Sequence, residues 1–383
     1  MYSWPVLLVM FAGALRQSLR FPHTAYDDAS LALPLASPPD HPRAIWIIFD
    51  ELSQTIAFGN RPPGLELPNL DRFREESFYA TNATSPANLT EISIPSLILG
   101  EKVLRAFAEK PDDLRLQLSS RPDAVSWKSL PNVFDSARAL GLNTALVGWF
   151  HPYGRILNHS LTESYWTPGW LAPGSEEPVT PRPLIEAMWD RIGLQLITLP
   201  LAGHLPGVYS QKFSARAKLQ SYVSMNERAC EMSADPSIGL AFLHLPIPHP
   251  PAIYDRAHGV FTTQKGSYLD NVALVDREFG ILRQAMEQSG VWERTAVLVS
   301  ADHGWRPFAW RGTAVWTPED ESFSHQDVIG VPFLLKLPNQ TSGSTYSKPF
   351  NTIITRRLIT GILQRQITDG AGVAALIEGA DGR

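Results

Sequence analysis

The chain predicts an α/β fold built on a central, largely parallel sheet flanked by helices. Short continuous apolar runs rich in β-branched and aromatic residues occur at Ala44–Phe49, Asn143–Val147 and Thr295–Ser300, as expected of strands buried on both faces of a parallel sheet. Helix-like stretches, Leu130–Leu140 and Ser267–Ser289, precede the second and third runs, and such alternation implies crossover units. Composition agrees. Of 383 residues, 44% are hydrophobic and 19% are charged, which supports a large buried core and is too apolar for disorder.

The first element is an N-terminal apolar run of about a dozen residues, shorter than the roughly 20 needed to span a bilayer. Ala12-Gly13-Ala14 has the small-x-small form of a signal-peptidase site, although no Lys or Arg precedes the run. Residues 1–20 therefore read as an export signal or membrane anchor, with a buried N-terminal segment as the alternative. Residues 21–43, rich in Pro, Ala, Ser and Asp, read as a linker. A catalytic domain is expected over 44–370, with a smaller C-terminal part after about Pro332 and a tail at 371–383.

Charge and cysteine content narrow the function classes. A formal net charge of −5 gives no basic footprint, which argues against a nucleic-acid partner and for a small molecule. The single cysteine, Cys230, excludes an internal disulfide framework and a multi-cysteine zinc site.

In parallel sheets ligands sit beyond the carboxyl ends of the strands. Polar residues directly after the strands are therefore the first candidates: Asp50-Glu51, the segment Gly148-Trp149-Phe150-His151, and Asp302-His303. The apolar stretch Ile238–Leu243 leads into His244 and then His249, a further strand end. A divalent cation that polarises an ester needs two or three anionic or imidazole ligands on a rigid frame. Asp50 with Asp302 and His303 can supply them from separate strands. Mixed carboxylate and imidazole ligation suits zinc or manganese, with calcium or magnesium less favoured. Alone, each is equally a helix cap or turn residue; both at strand ends point to a metal.

Thr90 follows the polar loop Asn82–Leu89 and opens an apolar stretch. That places it at or just before a helix N-terminus, where backbone N–H groups favour an anion. Thr90 and Ser93 serve equally as capping residues on this evidence.

Taken together, Ile47-Ile-Phe-Asp50-Glu-Leu52, Leu67-Pro-Asn-Leu-Asp-Arg-Phe73, Thr90-Glu-Ile-Ser-Ile-Pro-Ser-Leu97 and Val299-Ser-Ala-Asp302-His303-Gly304 resemble the ordered motifs of sulfatase-like enzymes of the alkaline phosphatase superfamily. Sulfatases, lipoteichoic acid synthases and phosphoethanolamine transferases are among these. The resemblance covers about Ala44 to Leu363. It implies an alkaline phosphatase-like fold with helices on both faces of the sheet. It also implies one metal site of Asp50, Thr90, Asp302 and His303, with Thr90 both ligand and nucleophile. His244 and His249 match a family segment whose second histidine faces the substrate, His325 matches a histidine near the metal or the leaving group, and Asp276 reads as structural. Beside the resemblance, His244, His151 and Arg306, the last in a stretch where this chain departs from the family, are candidate substrate contacts. The implied enzyme is extracytoplasmic, periplasmic or at the cell surface, membrane-associated, and acts on a small-molecule, lipid or glycan ester.

Departures refine this expectation. Sulfatases proper carry Cys or Ser in a Cys/Ser-x-Pro-x-Arg segment for conversion to formylglycine, whereas Thr90 stands here and no Arg follows in that register. Phosphoester hydrolysis or phosphotransfer through a phosphothreonine is therefore favoured. The alternatives are a sulfuric ester hydrolase without formylglycine and an inactive relative binding an anionic glycan or lipid. Glu51, where many relatives have Asp, is either an added ligand or a helix cap.

Overall fold

All seven residues of Arg43–Phe49 are buried, because this strand, β1, has a parallel neighbour on each side and layers over both faces. The computed structural model describes residues 30–36, 40–110, 113–167, 207–311, 315–325 and 330–381. Its main sheet has eight strands: β1, β2 (Phe78–Ala80), β3 (Asn143–Trp149), β4 (Glu163–Thr167), β5 (Ile238–Leu245), β6 (Thr295–Ser300), β7 (Phe333–Lys336) and β8 (Ser344–Tyr346). Their spatial order is β8-β2-β7-β6-β1-β5-β3-β4. The five strands from β6 to β4 run parallel, while β7 is antiparallel to both of its neighbours. The fold is thus the mostly parallel α/β sheet that the apolar runs predict. The C-terminal strands β7 and β8 complete this sheet rather than forming a smaller part after Pro332.

Helices follow the expected crossover pattern. They include α1 (Pro68–Glu76), α2 (Thr90–Leu99), α3 (Val133–Ala139), α4 (Gly207–Ala234), α5 (Tyr268–Gln288), α6 (Pro318–Phe323) and α7 (Gly370–Asp381). A capping box of Ser267 and Asp270 starts α5, and one of Asn132 and Asp135 starts α3; each satisfies N–H groups that a helix start leaves open. Asp276 of α5 accepts from the Leu70 N–H and the Asn69 side-chain amide, both at 2.8 Å, and so ties α5 to α1. Gly280 permits that approach, since a Cβ there would fall 2.8 Å from the Asn69 side chain.

Two boundary expectations change. The segment taken as a tail from 371 forms α7, anchored by buried Val373 and Ile377. Within the expected linker, Leu35 exchanges hydrogen bonds with the Asn143 side chain at 2.7 and 3.0 Å, so this stretch is fastened to the start of β3. The apolar run over residues 1–15 lies outside the described residues. Among those described, no helix is long and apolar enough to cross a membrane.

Glu278 of α5 is fully buried and accepts a 2.5 Å hydrogen bond from Tyr222 of α4. Burial raises its carboxyl from 4.5 to about 7. A carboxyl held more tightly protonated in the folded chain contributes fully below its unfolded value, and the contribution fades as pH rises through the folded value. A difference of this size corresponds to about 3 kcal/mol. Urea midpoints should therefore fall between about pH 5 and about pH 8, and Glu278→Gln should flatten that fall; an unchanged slope in the variant would contradict the assignment.

Candidate metal centre

Because β1, β5, β3 and β6 are parallel, their carboxyl ends share one edge of the sheet. Asp50 follows β1 directly, His244 lies near the end of β5 level with Ile48, and Asp302 and His303 follow β6. Thr90 is the first residue of α2. That helix is docked on the β6 end by the Ser93 hydroxyl, which donates to the Asp302 carbonyl. His303 Nε2 lies 3.3 Å from Thr90 Oγ1, 3.5 Å from Asp50 Oδ1 and 3.5 Å from Asp302 Oδ2. The structure therefore brings together all four residues of the expected metal site.

Neighbouring backbone aims these atoms. His303 Nδ1–H donates to the Gly304 carbonyl at 2.9 Å, so Nε2 is the ring nitrogen turned to Asp50 and Asp302, and it offers a lone pair there when the ring is neutral. Asp302 Oδ1 accepts from the His303 N–H at 2.9 Å and the Glu51 N–H at 3.2 Å, so Oδ2 is the oxygen turned inward. Among the described residues, both Asp50 oxygens and Asp302 Oδ2 are buried without a hydrogen-bond partner. Two such carboxylates in a fully buried place repel one another. Burial, and after it the charge of Asp302, raises the Asp50 carboxyl well above its usual range.

A divalent cation fits this arrangement. Asp50, Asp302 and His303 present donor atoms within 4.8 Å of one another. A tetrahedral ion with bonds of about 2.0–2.1 Å holds neighbouring ligand atoms about 3.3–3.4 Å apart, close to the separations measured around His303 Nε2. The ion would also balance the two charges and engage the orphaned oxygens. The oxygen and imidazole donors match zinc or manganese best.

Histidines and charged groups surround this set. His151, buried under α2, has Nε2 3.4 Å from the Thr90 carbonyl; burial, and then His244, push it down to about 3. It supports the Thr90 backbone. His249 Nδ1–H donates to the Pro250 carbonyl at 2.7 Å, and its own N–H donates to the Asp50 carbonyl at 3.1 Å. Burial, with Lys218 and Arg306 nearby, holds this half-buried ring neutral well below the usual histidine range. With Asp50 and Glu51, His249 forms a second convergent group.

Two expectations take a different form. Glu51, at φ 72°, turns its carboxylate to the Arg306 N–H at 2.8 Å and to Trp310 Nε1–H at 3.2 Å. It caps no helix of its own, and it holds Arg306, whose guanidinium lies 3.4 Å away. His325 is 80% exposed and lies 3.6 Å from Glu321 of α6, on the surface rather than among the buried donors. Its place just past the short α6 helix carries it there.

Sequence reading missed Lys218 and Tyr153. Lys218, in the middle of α4, is buried and donates to the His249 and Pro251 carbonyls. Burial lowers its ammonium to about 7 against the opposing pull of Asp50 and Glu51. Nothing in the surrounding sequence marks it. Tyr153 reads as one more aromatic after a strand.

No family model matches the chain. A curated relative, the ulvan-active sulfatase of Formosa agariphila, is 30% identical over 116 residues, or 30% of this chain and 21% of that protein; the match spans about a fifth of the relative's length. The PsFucS1 sulfatase from Pseudoalteromonas sp. superposes with a TM-score of 0.56 at 13% identity, over 85% of this chain and 68% of that one. Ps i-CgsB in complex with k-i-k-neocarrahexaose gives 0.53 at 15% identity, over 85% and 73%. The phosphonate monoester hydrolase of Agrobacterium radiobacter gives 0.51 at 14% identity, over 84% and 74%. These likenesses show an alkaline phosphatase-like fold.

Elemental analysis of purified protein should find a stoichiometric divalent metal. Asp302→Asn should lose it while keeping its circular dichroism spectrum, because the amide cannot balance the charge; full retention of metal in that variant would speak against the centre.

Proposed function

Starting from an alkaline phosphatase superfamily fold whose motif order resembles that of its sulfatase-like members, we propose that the chain is a metal-dependent phosphoester hydrolase or phosphotransferase with Thr90 as nucleophile. The observation that carries this reading is the position of Thr90: its hydroxyl opens α2 and lies 3.3 Å from His303 Nε2, within the cluster formed with Asp50 and Asp302. A divalent ion held by Asp50, Asp302, His303 and Thr90 supplies Lewis-acid polarisation of the ester and a lowered hydroxyl pKa for Thr90.

Thr90 Oγ1 forms a bond to phosphorus while the bond from phosphorus to the departing oxygen breaks. The threonine proton leaves, in the net reaction, with the departing alcohol. Water or an acceptor hydroxyl then attacks the phosphothreonine, restores the Thr90 hydroxyl and carries the phosphoryl group away. The α2 N-terminus directs backbone N–H groups towards charge that develops on the phosphoryl oxygens. His249, with Nδ1–H engaged by Pro250, presents a neutral Nε2 that suits a proton acceptor for the second attack and a carrier of the proton between steps. Arg306, oriented by Glu51, suits an anionic group of the substrate.

An anionic glycan or lipid ester is the proposed substrate class, with the glycan favoured by the ulvan-active relative and the neocarrahexaose-bound neighbour. The ulvan-active sulfatase and the PsFucS1 sulfatase favour a second reading, sulfuric ester hydrolysis. In that case Thr90 acts without formylglycine, since oxidising its β-carbon gives a ketone and not an aldehyde. The N-terminal apolar run and the glycans named with these neighbours support an extracytoplasmic location.

Thr90→Ala should reduce turnover of aryl phosphates to background while leaving the fold and most metal binding intact, and acid-quenched wild type should carry a phosphoryl adduct on the peptide containing Thr90. Unchanged turnover in the variant would exclude the covalent route. Faster cleavage of aryl sulfates than of aryl phosphates would replace the first reading with the second.

A further inference from the structure

Tyr153 and His244 lie outside the donor set, yet both are fully buried beside it. His244 Nε2 is 3.4 Å from Asp50 Oδ2, and its Nδ1 is 2.8 Å from the Tyr153 hydroxyl. The Tyr153 ring packs against Gly148 of β3, where a Cβ would fall 2.4 Å from a ring carbon. Glycine at this strand position gives up a side chain so that the phenol can reach the imidazole. Trp149 and Phe242 flank the His244 ring, with centroids 5.9 and 6.4 Å away.

The hydrogen positions follow from what each polar atom can find. Among the described residues, the only hydrogen-bond partner of the Tyr153 hydroxyl is His244 Nδ1. A buried hydroxyl with no acceptor is costly, so the phenol donates to Nδ1. A neutral imidazole carries one ring hydrogen, which then stands on Nε2. That nitrogen lies 3.4 Å from Asp50 Oδ2, outside hydrogen-bond geometry; neither atom has a hydrogen-bond partner among the described residues, and the Trp149 carbonyl is a further acceptor beside the ring.

We propose that Tyr153 and His244 are positioning residues for the metal centre: Tyr153 fixes the Nε2–H form of His244, and His244 steadies Oδ2 of Asp50 so that Oδ1 is presented to the ion. This rests on Asp50 being a metal ligand. His244 acts through Asp50 and is not itself a ligand, since the convergent donors are those of Asp50, Asp302 and His303. Such outer partners orient a ligand and set its basicity, and their loss typically weakens metal binding about 10–100-fold.

The test compares the wild-type chain with Tyr153→Phe, His244→Leu and His244→Gln. Zinc affinity is measured by chelator competition, and the ring protonation of His244 by nitrogen-15 NMR of the metal-free protein. Tyr153→Phe and His244→Leu should each raise the zinc Kd about 10–100-fold, and His244→Gln, which can still offer an N–H to Asp50, should recover most of the loss. Wild-type His244 should carry its hydrogen on Nε2, and Tyr153→Phe should show both forms. A lowered melting temperature with an unchanged zinc Kd would mark the pair as merely structural and overturn the proposal, as would a wild-type hydrogen on Nδ1. Failure of the wild type to bind zinc or manganese would instead overturn the metal centre, and this inference with it.

Discussion

Two carboxylates, Asp50 and Asp302, are buried side by side at the end of a sheet, with three of their four oxygens lacking any hydrogen bond among the described residues. Removing such groups from water costs far more than ordinary packing returns unless a proton or a cation compensates. The surrounding architecture supplies only part of that compensation. Two backbone N–H groups reach one oxygen of Asp302, and the nearest ring nitrogens, His244 Nε2 and His303 Nε2, stand 3.4 and 3.5 Å from the carboxylate oxygens. The arrangement suits a cation, and a protein without one would hold at least one of the two acids protonated.

The sheet is what forces the acids together. Asp50 and Asp302 are separated by most of the chain, yet β1 and β6 are adjacent and parallel, with Ile48 level with Ser300. A shift of a single residue in either strand would turn these positions towards the opposite face. The buried runs on both strands resist that shift. Thr90 comes from a third element: Ser93 fastens α2 to the Asp302 carbonyl, and His151 meets the Thr90 carbonyl from beneath. Lys218 adds a further anchor by holding the turn that carries His249. The mobile parts of any reaction would therefore be the substrate and protons, on a frame fixed by strands and buried hydrogen bonds.

Much of this was legible in the sequence because parallel strands buried on both faces leave an unbroken apolar signature, and because polar residues immediately after such strands have one edge to occupy. Asp50, Asp302, His303 and the placement of Thr90 at a helix start followed from that rule together with the family resemblance. Tyr153, His244 as its partner, and Lys218 were not legible in these roles, since a hydrogen bond between distant side chains leaves no periodic trace. Glu51 remained ambiguous because its direction depends on a positive φ that the residue type does not announce. His325 carried a motif match without burial, and its exposure just past α6 shows how little one histidine specifies by itself. The helix at Gly370–Asp381 hid behind an alanine- and glycine-rich composition that reads as a tail.

The claim on which everything depends is that one cation lies among Asp50 Oδ1, Asp302 Oδ2, His303 Nε2 and the Thr90 hydroxyl. Anomalous diffraction from crystals grown with zinc or manganese, recorded at the absorption edge of the added metal, locates such an ion without reference to activity. A single strong peak within about 2.0–2.2 Å of those atoms is the result this account requires. No peak there, with the two carboxylates instead bridged by a hydrogen or by water, would contradict it.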